Sequence, residues 1–339
     1  MALLCQVFEC QVPVSLQAID STSTIGFQLN ALCLRGTSVS WYLLMEAVEE
    51  ILHKSVFICY HKHDKNNNAE RIAAFQKRFG EGNVIAYDSP KEIDSILTRK
   101  KASHFIIKKA GHRDSIISTV AKNVVVCVFT ATAPHGEVYM KLMDTVPGNA
   151  PILPNIVRFP EDRGYNGTQE EARRELGLPL DRVIFGRHGG YESVMSVAQD
   201  AIKQYPEHLF VLMNTKPFTK MDHVRHLDAS VNWHDISRFI TACDAMIHSR
   251  ERGETFGNSC AEFAVHGKPV LTWSKSKERA HIDILGQNAI LYSTKDDLLR
   301  IFQEWHSLDK PSPTKLRESY SQFTKQNVTR VLNEHAHIT

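Results

Sequence analysis

The chain has few of the features that mark membrane, secreted or nucleic-acid-binding proteins. None of its 339 residues belongs to an apolar run near the about 20 needed to span a bilayer. The first ten residues, MALLCQVFEC, contain no basic region, and Glu9 interrupts their short apolar run, so they do not read as a secretory signal. Cysteine is sparse and odd in number: Cys5, Cys10, Cys33, Cys59, Cys127, Cys243 and Cys260, with no C-x-x-C pair and no zinc spacing. Most sit in apolar runs, which predicts buried free thiols in a reducing compartment. The expected location is therefore cytoplasmic, and the sequons at Asn166 and Asn327 carry no weight. Neither charge sign is in excess. The net charge is +2, with 16 basic and 14 acidic side chains in residues 1–150, so bulk charge gives no reason to expect nucleic acid as a partner. Repeats and low-complexity tracts are missing too. What remains, 42% hydrophobic and 23% charged, is the composition of a soluble globular protein long enough for two domains.

The most informative stretch is Ala245 to Trp273, AMIHSRERGETFGNSCAEFAVHGKPVLTW. Ala245 to Ser249 reads as a short buried strand, and Arg250 to Glu254, charged and containing Gly253, as a loop. Thr255 is placed to cap a helix from Phe256 to His266, which Gly267 stops before a strand from Pro269 to Trp273. A strand, a tight loop and a helix start in that order make an anion site, because the first helix amides lack internal partners and the dipole favours negative charge there. Gly257 removes the Cβ that would keep a ligand from the backbone. Glu254 and Glu262 frame this site. Beside a phosphate site a carboxylate is repelled unless it binds something else, such as the hydroxyls of a ribose or of a second sugar. The plainer reading makes both surface charges.

GETFGNSCAEF resembles the E-x7-E signature of retaining glycosyltransferases of the GT-B fold, in the broad glycosyltransferase family 4 group. The resemblance implies an α/β chain of two Rossmann-like parallel-sheet domains facing across a cleft. It implies that Glu254 lies at the donor sugar, that Glu262 binds the nucleotide ribose, and that the amides of Thr255, Phe256 and Gly257 hold the diphosphate.

The first half fits such a fold. Residues 1–24 read as a lead segment or an extra strand. Ile25 to Leu34 reads as a buried strand, followed by RGTS and a helix through about Leu52. Gly36, Thr37 and Ser38 then form a second candidate phosphate cradle, or an ordinary helix cap, with Arg35 adding charge. Strands at Ser55–Tyr60, Asn83–Tyr87, Ser103–Ile107 and Asn123–Thr130 alternate with helices near 70–79, 91–97 and 114–120, the pattern of a parallel sheet covered on both faces. The basic run from Arg99 to Arg113 could meet an anionic membrane surface or a charged acceptor, or form a solvated rim. Pro134 and Gly136 place His135 in a loop at the carboxyl edge of the sheet, where it could bond a sugar hydroxyl or be an ordinary loop histidine; Glu137 could cap the following helix or touch the acceptor. The histidine groups at 61–63 and 223–226 read as surface features.

Residues 147–160 hold four prolines and read as a hinge, giving domains of 1–150 and 151–314, with the end of the chain (315–339) packing back on the first. Thr168–Leu176 reads as a short helix. Asp181–Gly186 reads as the first strand of the second domain, with Arg187 at its carboxyl end. The family usually adds a lysine a few residues on; here Glu192 follows instead. His208–Met213 is the next strand, and Lys216 beyond it is the candidate for the missing cation. Ser230–His234 reads as a further strand, with Trp233 either beneath the base or in the core, and Asp235 capping the next helix. Helices at 278–285 and 295–305 surround a strand at 289–292. Residues 311–334 read as one long amphipathic helix, which in this fold crosses back onto the first domain.

The implied reaction is transfer of a sugar from a nucleotide-diphosphate donor to a glycan or other hydroxyl acceptor, with retention. Arg187, Lys216 and the helix amides would stabilise the departing diphosphate. No D-x-D pair occurs in the sequence, so neither an obligatory metal nor a cofactor beyond the donor is expected. The alternatives are an epimerase or phosphorylase on the same fold, or a sugar-nucleotide-binding module without activity.

Overall fold

Every strand of the two main sheets runs parallel to its neighbours, so a helix or a long loop must carry the chain back between consecutive strands. A computed structural model describes residues 23–338; the lead segment, whether tail or strand, lies almost wholly outside them. The first domain contains β1 (Thr24–Leu29), α1 (Gly36–Leu52), β2 (Ser55–His61), α2 (Ala69–Phe79), β3 (Val84–Tyr87), α3 (Ile93–Arg99), β4 (Ala102–Lys109), β5 (Lys122–Cys127) and β6 (Val138–Lys141). Its sheet is ordered β3-β2-β1-β4-β5-β6. The second domain contains α4 (Gln169–Glu175), β7 (Ile184–Arg187), α5 (Ser196–Lys203), β8 (Leu209–Met213), β9 (Val224–Leu227), α6 (Trp233–Ala242), β10 (Ala245–His248), β11 (Gly253–Glu254), α7 (Asn258–Val265), β12 (Val270–Trp273), β13 (Glu278–Arg279), α8 (Ala280–Leu285), β14 (Ala289–Tyr292) and α9 (Lys295–Gln303). Its main sheet is ordered β14-β12-β10-β7-β8-β9, and β11 pairs with β13 in a small ribbon. Two last helices follow, α10 (Pro313–Ser319) and α11 (Lys325–Ala336).

Both sheets are buried on two faces, as their near-continuous apolar strands require. On one side of the first sheet, Phe27, Trp41 and Met45 pack with Val328, Leu332 and Ala336 of α11. This helix therefore belongs physically to the first domain, with Lys325 Nζ 2.9 Å from Glu50 Oε2 and His104 Nε2 3.0 Å from the Ala336 carbonyl. The outer side of the second sheet is filled by Phe185, Phe210, Phe302 and Trp305. A further cluster joins the inner faces, running from Phe57 and Phe105 through Val157 of the hinge to Phe239, Phe263 and Phe323.

Several local expectations give way to tertiary contacts. No helix forms at 114–120; the Asp114 carboxylate instead accepts from Lys109 Nζ and the Ile116 amide, an Asx-type turn. Residues 311–334 are two helices, because Tyr320 and Phe323 leave the helical path to pack on Phe256. The expected strand at 230–234 is instead a loop ending at Asn232, which caps α6 in place of Asp235, and the first residues of that helix. The edge strand is instead β9, so the 223–226 histidines are not a surface group: His223 is buried, its Nε2 2.9 Å from the Ile202 carbonyl. Glu137 caps no helix; its carboxylate accepts from the Asn123 amide beside the start of β6. All five cysteines among the described residues are buried free thiols. No helix among these residues is long and apolar enough to cross a membrane.

Candidate active site

The carboxyl ends of both sheets open onto one cleft of about 460 Å³ between the domains, where open α/β sheets bind ligands. The first domain contributes the turn after β1 with Gly36 and Thr37, the end of β4, and Arg71 of α2. The second contributes Arg187 at the end of β7, His248 at the end of β10, and the segment Glu254–Ser259 together with Glu262. The starts of α1 and α7 meet across this gap. Asn258, first residue of α7, donates from Nδ2 to the Gly36 carbonyl (3.1 Å) and accepts at Oδ1 from Asn155 Nδ2 (2.9 Å). Each helix aims its unpaired amides and positive dipole end at the cleft.

The organising loop differs in one detail from its expected form. The helix begins at Asn258, and Gly257 stands at its cap in the left-handed region, at φ 89°. Thr255 is not the cap. An added Cβ at Gly257 would lie 2.9 Å from Cβ of His281, so backbone geometry and packing both require glycine. The amides free of helical partners are accordingly those of Asn258 to Cys260. Thr255, Phe256 and Gly257 still line the cleft; Phe256 is buried, its ring held by Tyr320 and Phe323.

The two glutamates are neither surface charges nor alike. Glu262, 5% exposed, has Oε1 2.9 Å from Arg158 Nη2 and Oε2 3.1 Å from His188 Nε2. Burial alone would raise its pKa, but the Arg158 charge and the His188 contact outweigh it and hold the carboxyl down at about 2. Glu254 lies 3.3 Å from His248 Nε2 and 2.9 Å from Arg250 Nη1. Its burial is likewise overcome, by the His248 contact and the charges of His248, Arg250 and Arg187, which hold it below the usual carboxylate range. Behind it runs a buried chain: His248 Nδ1 to Thr272 Oγ1 at 2.9 Å, then Thr272 Oγ1 to His281 Nε2 at 2.8 Å. Since the ionised Glu254 only accepts, His248 donates to it from Nε2, and the Thr272 hydroxyl bridges the two imidazoles.

Arg187 is 4% exposed and donates from Nη1 to Thr215 Oγ1 at 2.7 Å. No acidic group among the described residues pairs with it directly. Burial lowers its pKa, and Glu192 and Glu254 partly restore it.

Three expected site residues are not in the cleft. Thr215 turns inward to Arg187, so Lys216, the next residue along an extended chain, turns outward; it is exposed, its Nζ 5.9 Å from the ring centre of Tyr191. His135 is at the wrong end of the sheet. Because β6 is parallel to β5, the chain after Cys127 must run back to the amino edge before β6 starts. His135 lies on that return, against Tyr139, with Nδ1 2.7 Å from the Ala133 carbonyl. Trp233 opens α6 and is buried, with the Arg158 guanidinium 4.2 Å over its ring and His266 beside it. The cleft wall there is Met213, Asn214, Ala229, Ser230 and Ile236 instead. The basic run at 99–113 is likewise no single surface. Lys100 binds Asn83 Oδ1 near the start of β4, while Lys108 and Lys109 are buried at its other end, in the cleft wall.

Side chains that no motif singles out also line the cleft: Arg71, Asn155, Arg158, His188 and His248. His188 and His248 follow or close strands at the carboxyl edge, a position that could have flagged them. Arg71 and Arg158 come from α2 and the hinge, and only folding brings them to the cleft. No group of three or more His, Cys, Asp or Glu side chains among the described residues is arranged to hold a metal ion.

Two six-stranded parallel sheets with their carboxyl ends facing across one cleft define the GT-B fold. No protein-family model matches the chain, and no curated protein matches it significantly. Solved structures do match in shape. A glycosyltransferase from Rickettsia africae ESF-5 superimposes with a TM-score of 0.68, at 11% identity, covering 94% of this chain and 100% of that one. HepE from Anabaena, in complex with UDP and glucose, gives 0.66 at 11% identity, covering 93% and 99%. UDP-GlcNAc 2-epimerase from Neisseria meningitidis, bound to UDP-GlcNAc, gives 0.53 at 10% identity, covering 94% and 100%. At these identities the likeness is one of fold.

Proposed function

We propose that the protein is a glycosyltransferase, similar to the retaining enzymes of family 4, that moves a sugar from a nucleoside diphosphate donor to an acceptor hydroxyl. The observation that carries this is the meeting of Glu254, Glu262 and Arg187 around the start of α7 in one cleft. Glu262, ionised and fixed by Arg158 and His188, accepts from the ribose hydroxyls. Glu254, steadied by His248 and Arg250, accepts from hydroxyls of the donor sugar. As the bond from the anomeric carbon to the diphosphate breaks, charge grows on the leaving oxygen. The free amides of α7 and the Arg187 guanidinium stabilise it without reorganising. The acceptor oxygen bonds to the same carbon, on the face the diphosphate leaves, and its proton passes to the leaving phosphate. In this scheme neither a metal nor a separate general base takes part.

The HepE complex makes uridine the first nucleoside to try. A thermal-shift panel of uridine, guanosine, adenosine and thymidine diphosphate sugars is expected to give one donor that raises the melting point by several degrees at concentrations well above its Kd. If no member of the panel moves the transition, the proposal fails. The epimerase neighbour supports a second reading on the same fold. Incubating the stabilising donor alone separates them: slow hydrolysis supports the transferase, and an epimerised nucleotide sugar supports the alternative.

A further inference from the structure

Among the described residues, one buried cation of the cleft is neither used by the scheme above nor hydrogen-bonded within the protein. Arg71, the third residue of α2, lines the cleft from the first domain with 4% of its surface exposed. Its Nε is buried without a hydrogen-bond partner, and among the described residues its guanidinium forms no ion pair. The more buried cations beside it in the cleft wall are answered within the protein, while Arg35 is exposed. Arg158 holds Glu262, Lys109 holds Asp114, and Lys108 reaches Ser40 Oγ and Asn155 Oδ1. Burial lowers the Arg71 pKa to about 10, with Arg158 repelling it further, so the group is still charged near neutral pH. A buried charge without a counterion is costly. The side chain makes sense if the counterion arrives with a ligand.

Arg71 stands on α2 in the first-domain wall of the cleft, whereas Arg187 closes β7 in the second-domain wall. We infer that Arg71 reaches across from the first domain to bind the donor's diphosphate, which Arg187 holds from the other wall. This rests on the donor reading above. It also explains how the second domain manages with Arg187 as its one cation not paired to a carboxylate in the cleft, since Arg250 is held by Glu192 and Glu254 and Lys216 faces solvent. One ligand touching both walls couples nucleotide binding to closure of the domains.

The test is calorimetric titration of the full chain, and of Arg71→Met and Arg71→Lys, with uridine diphosphate, inorganic pyrophosphate and uridine. Arg71→Met is expected to weaken both phosphate compounds at least tenfold while changing uridine less than twofold, with Arg71→Lys between. Unchanged diphosphate affinity in Arg71→Met overturns the inference, and so does an equal loss of uridine, which would mean a distorted pocket. If the unaltered protein binds pyrophosphate through Arg71 but no nucleoside diphosphate, the Arg71 assignment stands and the donor reading falls. If it binds neither, the inference falls.

Discussion

Acid bears on this protein through several groups that push the same way, among them the half-buried His266 and the buried His281 and Glu262. His266 is held down to about 4 and His281 to about 2, burial being the first cause for both, against an ordinary value of 6.5. Glu262 is held at about 2 against 4.5. In each case the unfolded chain takes up a proton at a higher pH than the folded one, so stability rises with pH across the gap and falls on acidification. The histidine contribution is complete above about pH 6.5 and is lost through 4 and below; that of Glu262 is complete above about 4.5 and is lost toward 2. The melting temperature is therefore expected to decline steadily from pH 7 to 4 and more steeply beneath 4.5. Scanning calorimetry across that range checks it, with His266→Gln flattening the upper part of the curve. A melting point that does not change between pH 7 and 5 would contradict these assignments. At this scale the sequence is readable where function is local in the chain. Glu254, Gly257 and Glu262 share one turn and helix, so spacing alone groups them. Lys216 and His135 were misplaced because strand direction and side-chain alternation decide which way each faces. Arg71 and Arg158 had no local signal at all.

Among the elements, α7 depends most on one backbone conformation. Its cap residue, Gly257, needs a left-handed φ that costs an L side chain roughly 1–2 kcal/mol, and the crowding against His281 adds overpacking. Gly257→Ala is expected to lower stability by about 2–3 kcal/mol and to weaken donor binding more than tenfold, because the first turn of α7 must shift. Urea unfolding and nucleotide titration measure the two effects; a variant with unchanged donor affinity would show that the amides of α7 are not at the diphosphate. Gly253 is under a similar demand, at φ 76° with the Glu278 carbonyl where its Cβ would stand. Most strands were legible from their apolar runs, to within a few residues. Helix limits were less so. Residues 311–334 carry a continuous helical pattern, yet the burial of Tyr320 and Phe323 against Phe256 breaks it, a contact made across more than sixty residues of chain.

For the molecule as a whole, alternating strands and helices pointed to a parallel sheet in the first half, and the resemblance carried by GETFGNSCAEF implied the second sheet and the cleft, both of which the fold contains. Pattern alone does not disclose the seam. Asn155, Asn258 and Gly36 bridge the domains by hydrogen bonds, and the apolar cluster through Val157 continues from one sheet to the other. The last helix adds a third tie. A chain ending at residue 324 is expected to lose protection in the first sheet while keeping it in the second. Hydrogen exchange would show amides of β1 and β4 exchanging faster than those of β7 and β8, with a peptide of residues 325–339 supplied in trans restoring them. Equal protection in both sheets of the shortened chain would refute this. The return of α11 to α1 also sets an order of events during synthesis. The domain that leaves the ribosome first is the one completed last, because the residues that seal its face are still being translated. Until then Phe27, Trp41 and Met45 stand partly uncovered, and a nascent chain stalled in its second half would present that apolar face to whatever chaperone is nearby.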